Sequence, residues 1–236
     1  MAYPYIALFA VLIFSAVHLF AEKLRDISMS HGSRIYSTGS GVAIAYIFID
    51  LLPKLSHTDA IVKDALWQFF PYFERHVYVM ALAGFLLFFV VDRSEGLLGK
   101  GRAYFLLSLS SYSLFNFLVG YAVVDKTNPE VQPIILFTFA MALHYFMNDF
   151  TLSQAHGNLY NRIGRWILIA SLFLGWFTGL WMEISPAGIG LVSAFIGGGV
   201  IMNVTRHELP AENPHSLTAF LVAAFAYTAL LLGIGA

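Results

Sequence analysis

Eight stretches of roughly 20 mostly apolar residues, separated by short polar segments, run through this chain from end to end. A helix needs about 20 apolar residues to cross the hydrocarbon core of a bilayer, so each stretch is long enough to span it. The stretches, numbered as helices 1 to 8, cover residues 3–22, 34–54, 66–91, 103–124, 131–155, 163–183, 187–208 and 215–235. They predict an all-α integral membrane protein in which one domain fills residues 1–236.

The composition supports a membrane location. Hydrophobic residues make up 58% of the 236 residues and charged residues only 11%, whereas soluble domains carry about 25% charged residues. The net charge is −1 and the basic residues are scattered, which excludes a nucleic-acid partner. The chain has no cysteine, so disulfides, thiolate metal ligands and a thiol nucleophile are excluded as well. The expected surroundings are the lipid bilayer.

The basic residues predict how the helices are oriented. Lys23 and Arg25 follow the first apolar stretch instead of preceding it, which is the reverse of a secretory signal peptide, so we expect a retained first helix. Eight spans place both termini on one side and the loops after helices 1, 3, 5 and 7 on the other. Those loops hold nine of the 13 basic residues, namely Lys23, Arg25, Arg34, Arg93, Lys100, Arg102, Arg162, Arg165 and Arg206. The positive-inside rule therefore predicts non-cytoplasmic termini in a cell or cytoplasmic membrane.

Helices 2 and 7 share a short pattern. Helix 2 runs from Gly41 to a Leu-Leu-Pro sequence ending at Pro53, and helix 7 runs from Gly198 to a Leu-Pro sequence ending at Pro210, with equal spacing. The two helices run in opposite directions in the predicted topology. A match of this kind indicates an inverted-topology repeat, which is common in secondary transporters. The alternative is a chance match between two apolar helices.

Helix 5 contains the densest set of polar residues at membrane depth, which are expensive there and often functional. His144 and Asn148 are four apart and share a face, whereas Asp149 lies partly around the helix. Imidazole, amide and carboxylate groups can bind a divalent metal such as zinc, iron or manganese, so these residues form a predicted weak metal site. In the alternative interpretation, His144 bonds a neighbouring helix and Asp149 pairs with Arg162 or Arg165 near the cytosolic interface.

Other polar residues mark a predicted ion pathway. Tyr112 and Asn116 are four apart on helix 4, where they either face the pathway or form hydrogen bonds between helices. Further candidates lie near the span ends, where they either mark the two mouths of the pathway or simply reach water: Asp50, Asn203, His207 and Glu208.

These features resemble the ZIP (Zrt/Irt-like) family of divalent-metal transporters over essentially the full chain. The resemblance rests on eight helices with outside termini, on the acidic-Leu-Leu-Pro sequence from Asp50 to Pro53, and on the Gly-Gly stretch of helix 7 followed by Glu208-Leu-Pro210. It implies a ZIP-like bundle in which an inverted repeat of helices 1–3 and 6–8 surrounds helices 4 and 5. It also implies that helices 2, 4, 5 and 7 line the pathway.

The sequence departs from the family at its signature ligands. The family's helix 4 resembles His-Asn-x-x-(Asp or Glu)-Gly, whereas Tyr112 to Phe117 keeps neither strong ligand. The helix 5 motif, similar to His-(Glu or Asp)-x-Pro-(His or Glu)-(Glu or Gly), keeps His144, has its acid one place late at Asp149, and lacks the proline. Residues 167–180 contain no ionisable residue, although many members place a glutamate there. The resemblance thus implies a depleted metal site.

Three functions follow from these observations. The first is a diverged divalent-cation transporter. The second is a non-transporting subunit or scaffold of a larger membrane complex, with a second copy of the chain or other membrane subunits as partners. The third is an intramembrane enzyme that uses His144 and Asp149 as acid and base, but neither a nucleophile nor a metal-ligand triad supports it. We therefore expect a membrane protein that is not an enzyme.

Overall fold

The computed structural model describes the backbone of residues 3–31, 33–67, 75–124, 131–208 and 216–234. Side chains are described for residues 5–21, 37–67, 75–124, 134–206 and 216–233. Throughout these ranges the regular structure is helical, which confirms the predicted all-α class and the eight helices. The helices are α1 (Tyr3–His31), α2 (Ser33–Tyr46, a π-helical turn at Ile47–Leu51, and Leu52–Leu66), α3 (His76–Leu98), α4 (Arg102–Ala122), α5 (Val131–His156), α6 (a π-helical turn at Tyr160–Gly164, then Arg165–Trp181), α7 (Pro186–Asn203, then a π-helical turn at Val204–Glu208) and α8 (Leu217–Ile234).

The distribution of apolar side chains is that of a membrane protein. Six helices, α2 to α7, are long and apolar enough to cross a bilayer, and α1 and α8 have shorter described apolar stretches at Tyr5–Ala21 and Leu217–Gly233. Large apolar side chains such as Leu174 and Phe225 are 62% and 71% exposed on the outer surface. Polar side chains such as Asn116, His144 and Asp149 are buried inside instead. The chain is therefore a multi-pass integral membrane protein.

Several helix ends differ from the predicted ones. Helix α1 continues to His31 and α2 to Leu66, beyond the predicted ends at 22 and 54, and α3 begins at His76 instead of 66. Hydropathy locates only the apolar part of a helix, whereas backbone hydrogen bonding continues into polar sequence. Pro53, predicted to end helix 2, lies in the first turn after the π-helical turn, where a missing N–H is tolerated.

The helices pack in pairs that follow the predicted inverted repeat. The four most extensive pairings are α3 with α7, α4 with α6, α2 with α8, and α1 with α5. In the predicted repeat, α1 corresponds to α6, α2 to α7, α3 to α8 and α4 to α5. Under this correspondence the α2–α8 pair becomes the α7–α3 pair, and the α1–α5 pair becomes the α6–α4 pair. The smaller contacts of α2 with α5 and of α7 with α4 are related in the same way. The exchange thus maps one half of the packing onto the other.

The π-helical turns of α2 and α7 strengthen this correspondence. The turn in α2 begins six residues after Gly41, and the turn in α7 begins six residues after Gly198. A Cβ atom on Gly41 would collide with the carbonyl oxygen of Phe220 on α8, and one on Gly198 would collide with that of Ala81 on α3. Equivalent glycines therefore allow equivalent close helix pairs, because only glycine lets two backbones approach so closely.

Candidate functional site: two cavities and the polar residues between them

Two cavities lie at opposite ends of the bundle. The larger has a volume of about 840 Å³, and its lining residues, which include Tyr46, Val123 and Met141, belong to α2, α4, α5 and α7. The smaller has a volume of about 60 Å³ and lies among α3, α4, α5 and α7, with Ser108 in its wall. On α4, Ala122 at the last position lines the large cavity and Tyr104 in the first turn lines the small one, so the cavities lie toward opposite sides of the membrane. The larger cavity is lined by the four helices that the sequence resemblance implies.

Aromatic side chains close the space between the cavities. The ring of Phe88 on α3 contacts the rings of Tyr112 and Phe115 on α4, with centroids 5.3 and 5.6 Å apart. Phe115 also contacts Tyr145 on α5, with centroids 6.1 Å apart. All four side chains are buried, and they are referred to below as the aromatic plug. Along α4 and α5 the rings of Phe115 and Tyr145 fall between the residues that line one cavity and those that line the other.

His144 and Asn148 lie beside the aromatic plug. On α5, Met141 lines the large cavity and Thr151 lines the small one. His144 and Asn148 lie between these two positions, and so between the cavities. Asn148 Nδ2 lies 3.1 Å from His144 Nε2, and the His144 ring lies 5.9 Å from that of Phe115. The predicted sharing of one helix face is therefore observed. A ring nitrogen and an amide on α5 thus lie next to the plug.

Asp149 faces away from this pair. Its side chain has no solvent exposure, and its Oδ2 atom lies 2.7 Å from Nδ1 of His18 on α1. The partner is thus a histidine on another helix, and neither the predicted interfacial position nor a pairing with Arg162 or Arg165 is observed. Asp149 joins α5 to α1, which is one of the four main helix pairs.

His18 also bonds α4. Its Nε2 atom lies 2.8 Å from Oδ1 of Asn116, while Nδ2 of Asn116 donates to the carbonyl of Tyr112 at 2.8 Å. Because the Asn116 amide donates to that carbonyl, its Oδ1 atom must accept from His18, so His18 Nε2 carries a proton. A second proton then lies between His18 and Asp149, and the pair is neutral overall. We call His18, Asn116 and Asp149 the polar triad.

His18 is not among the residues predicted from the sequence. The sequence contained a signal for it. His18 is the one histidine in the first apolar stretch, and an ionisable side chain at membrane depth usually has a polar partner. Its partners lie on helices that are far away in sequence, so the contact itself needs the tertiary structure. Asn116, predicted to face the pathway or to bond another helix, bonds another helix.

The remaining predicted residues are dispersed. Tyr112 is buried and lines the small cavity, as does Asn203, whereas Asp50 lies in the π-helical turn of α2 and pairs with Lys54 at 2.8 Å. The side chains of His207 and Glu208 lie outside the described residues.

The three predicted metal ligands do not converge on one point. Asn148 bonds His144, whereas Asp149 bonds His18 on α1. Within the described part of the chain, no three His, Asp or Glu side chains are grouped closely enough to hold a metal ion. A dehydrated divalent cation needs several strong ligands, so tight chelation at His144 is not provided in this conformation.

The chain matches no family model, no curated protein and no solved structure. Function therefore has to be inferred from the site itself. The features available for that inference are the two opposed cavities, the plug between them, and the polar side chains that the bundle buries.

Proposed function

We propose that the protein is a ZIP-like membrane transporter that moves divalent metal cations by alternating access. The observation that carries this proposal is the pair of cavities toward opposite ends of the shared helices α4, α5 and α7, with the aromatic plug and the His144–Asn148 pair between them. A carrier that works by alternating access needs a route to each side of the membrane in turn, with a closed point between the two routes.

The symmetry of the helix packing supports alternating access. In inverted-repeat carriers, one set of helices rocks against the other, and the two conformations exchange the roles of equivalent helices. Here α2 and α7 are equivalent, and both line the large cavity together with the central helices α4 and α5. We propose that rocking of these helices closes the large cavity, separates the plug rings and enlarges the small cavity.

A divalent cation is the proposed substrate, with part of its water shell retained. The imidazole of His144 suits zinc and iron, and Asn148 can offer its amide oxygen, a ligand type that suits manganese. The large cavity is roomy enough for a hydrated ion. Retained waters would supply the ligands that the protein lacks, as is usual for ions that dehydrate reluctantly. On this proposal Asp149 positions helices through the polar triad and is not a direct ligand.

We propose that both termini lie outside the cytoplasm. The large cavity opens where α2 and α4 end and where α5 and α7 begin, which is the side of the termini in an eight-helix topology. The small cavity lies at the end that carries nine of the 13 basic residues. The observed conformation would then be outward-facing.

The test is metal flux into proteoliposomes, measured for zinc, iron, manganese and cobalt. The wild type should carry at least one of these ions, and His144→Ala should lower the rate at least tenfold at equal protein incorporation. Ser110→Ala is the matched control, because Ser110 is exposed and its hydroxyl donates to its own helix. Absence of flux for all four ions, or an unchanged rate in His144→Ala, would contradict the proposal.

The second candidate is a non-transporting subunit of a larger membrane complex. It is favoured by one observation, the engagement of Asp149 in the polar triad, which leaves the closed point without a free carboxylate on α5. Its partners would be a second copy of the chain or other membrane subunits. Stoichiometric co-purification of such a subunit, together with absent flux, would establish this candidate in place of transport.

A further inference from the structure

The large cavity is long and narrow. Its lining extends along α7 from Pro186 to Val200, a length of about 21 Å at a rise of about 1.5 Å per residue. A volume of about 840 Å³ over that length corresponds to a mean cross-section of about 40 Å². A helix with its side chains is about 10–12 Å wide, which is a cross-section of about 80–110 Å². The cavity therefore excludes a helix of a partner subunit and fits a slender molecule.

Most of the cavity wall is apolar. Its lining includes Ile134, Phe137 and Met141 on α5, and Ile196 and Val200 on α7. Organic ligands typically occupy pockets of about 300–1,000 Å³ with mostly hydrophobic walls and a few polar groups. The volume and the wall of this cavity together indicate an organic ligand with an apolar body.

The polar side chains of the wall are concentrated near the opening. Lys54, His57 and Thr58 line the cavity from the segment of α2 that follows its π-helical turn. Thr58 lies level with Gly190, since a Cβ atom on that glycine would touch it. Gly190 is in the second turn of α7, whereas Val200 lies ten residues deeper. A ligand that matches this wall has a polar end at the opening and an apolar part that runs inward.

The charged groups near the opening suit an anionic end. Lys54 and His57 are the ionisable side chains of the described lining, which contains no Asp or Glu. They are three residues apart and share a face of α2. Lys54 pairs with Asp50 at 2.8 Å, but the two side chains are 51% and 21% exposed, and such an exposed pair contributes little to stability. An ammonium group has three N–H donors, so Lys54 can bind a second carboxylate while it keeps the first.

We infer that the large cavity binds a single-chain amphipathic carboxylate, a molecule of the fatty-acid type. Its carboxylate lies at Lys54 and His57, and its alkyl chain runs inward along α5 and α7. The rings of Phe88 and Phe115 lie close to Gly199, the residue before Val200, so the chain ends against the aromatic plug. The inference does not rest on metal transport, because binding needs only the cavity as it is observed.

The test is photo-crosslinking with a long-chain carboxylate that carries a diazirine near the end of its chain, using the purified full chain in phosphatidylcholine nanodiscs. Mass spectrometry should locate the label on cavity residues such as Met141 and Val200. An excess of unlabelled carboxylate should abolish this labelling, and the uncharged methyl ester should compete at least tenfold less well. Labelling confined to lipid-facing residues such as Leu174 and Phe225, or equal competition by the ester, would overturn the inference.

A variant that fills the cavity tests the position of the chain. Ser193 lines the cavity part-way along α7, so a phenyl ring in Ser193→Phe occupies the space of the alkyl chain. The apparent affinity of the carboxylate should fall at least tenfold. Ser110→Phe is the matched control, because it makes the same change at an exposed position of α4 outside the lining. Size-exclusion profiles verify that both variants are folded. An equal affinity in the two variants would contradict the inference.

A second variant tests the charged end. Lys54→Gln should weaken competition by the carboxylate at least fivefold and leave competition by the methyl ester unchanged. Lys63→Gln, on the same helix but outside the lining, should change neither. If Lys54→Gln weakens both competitors equally, or neither of them, the carboxylate is not bound as inferred.

Crosslinking and metal flux keep the two proposals separate. If the carboxylate crosslinks inside the cavity of a protein that carries no ion, the binding site stands and transport fails. If the protein carries an ion but crosslinks only on its lipid-facing surface, transport stands and the binding site fails.

Discussion

Removal of one member of the buried His18–Asp149 pair should destabilise the protein more than removal of both. His18→Leu takes away the donor 2.7 Å from the Asp149 carboxylate and leaves that carboxylate, which has no solvent exposure, without its hydrogen bond. Removing one partner of a buried ion pair costs about 3–5 kcal/mol. Since each 1.4 kcal/mol is a factor of ten, the folded-to-unfolded ratio should fall more than a hundredfold.

The double variant His18→Leu/Asp149→Leu tests the physical reason. Replacing a buried pair with apolar side chains of similar volume is often neutral or stabilising, because two desolvation costs disappear along with the attraction. We therefore expect the double variant to be more stable than His18→Leu alone by about 2 kcal/mol or more. Asn116 would lose its partner in both variants, so its contribution cancels in the comparison.

The assay is reversible unfolding in detergent–SDS mixtures, followed by circular dichroism, for the wild type, both single variants and the double variant. Ser15→Ala is the control, because Ser15 is buried on the same helix as His18 and its hydroxyl donates only to its own helix. The reasoning would be refuted by a His18→Leu variant that loses less than about 1 kcal/mol, or by single effects that simply add in the double variant.

Gly198→Ala and Gly41→Ala should each destabilise the protein by about 1–3 kcal/mol, because the added methyl group collides with a neighbouring backbone carbonyl. Gly39→Ala, on the same helix as Gly41 but with open space around its Cβ, should be neutral or slightly stabilising, and thermal unfolding in detergent measures all three. Tyr121→Phe removes a hydroxyl that donates to the carbonyl of Met182 at 2.8 Å, so it should cost about 1 kcal/mol in the same assay while leaving metal flux unchanged. Equal unfolding temperatures for the three glycine variants, or lost flux in Tyr121→Phe, would contradict these expectations.

The candidate site was predictable only where it depends on one helix. His144 and Asn148 lie four residues apart, so a shared face follows from helix geometry alone, and the structure has them in contact. Asp149 is one residue further on and points to a different helix. Which neighbour it meets depends on how α5 is rotated against α1 and α4, and periodicity within one segment carries no information about that rotation.

The membrane class followed from the sequence alone, because the thickness of a bilayer imposes one length on every apolar segment that crosses it. The matching glycines of helices 2 and 7 were visible in the same way, since a repeat leaves its spacing in the chain. Only the tertiary structure revealed the partner of His18, the equivalent π-helical turns and the two opposed cavities. The partner of His18 and the two cavities arise where separate helices pack together, and the energy of that packing depends on side chains far apart in sequence, such as His18 and Asn116, which are 98 residues apart.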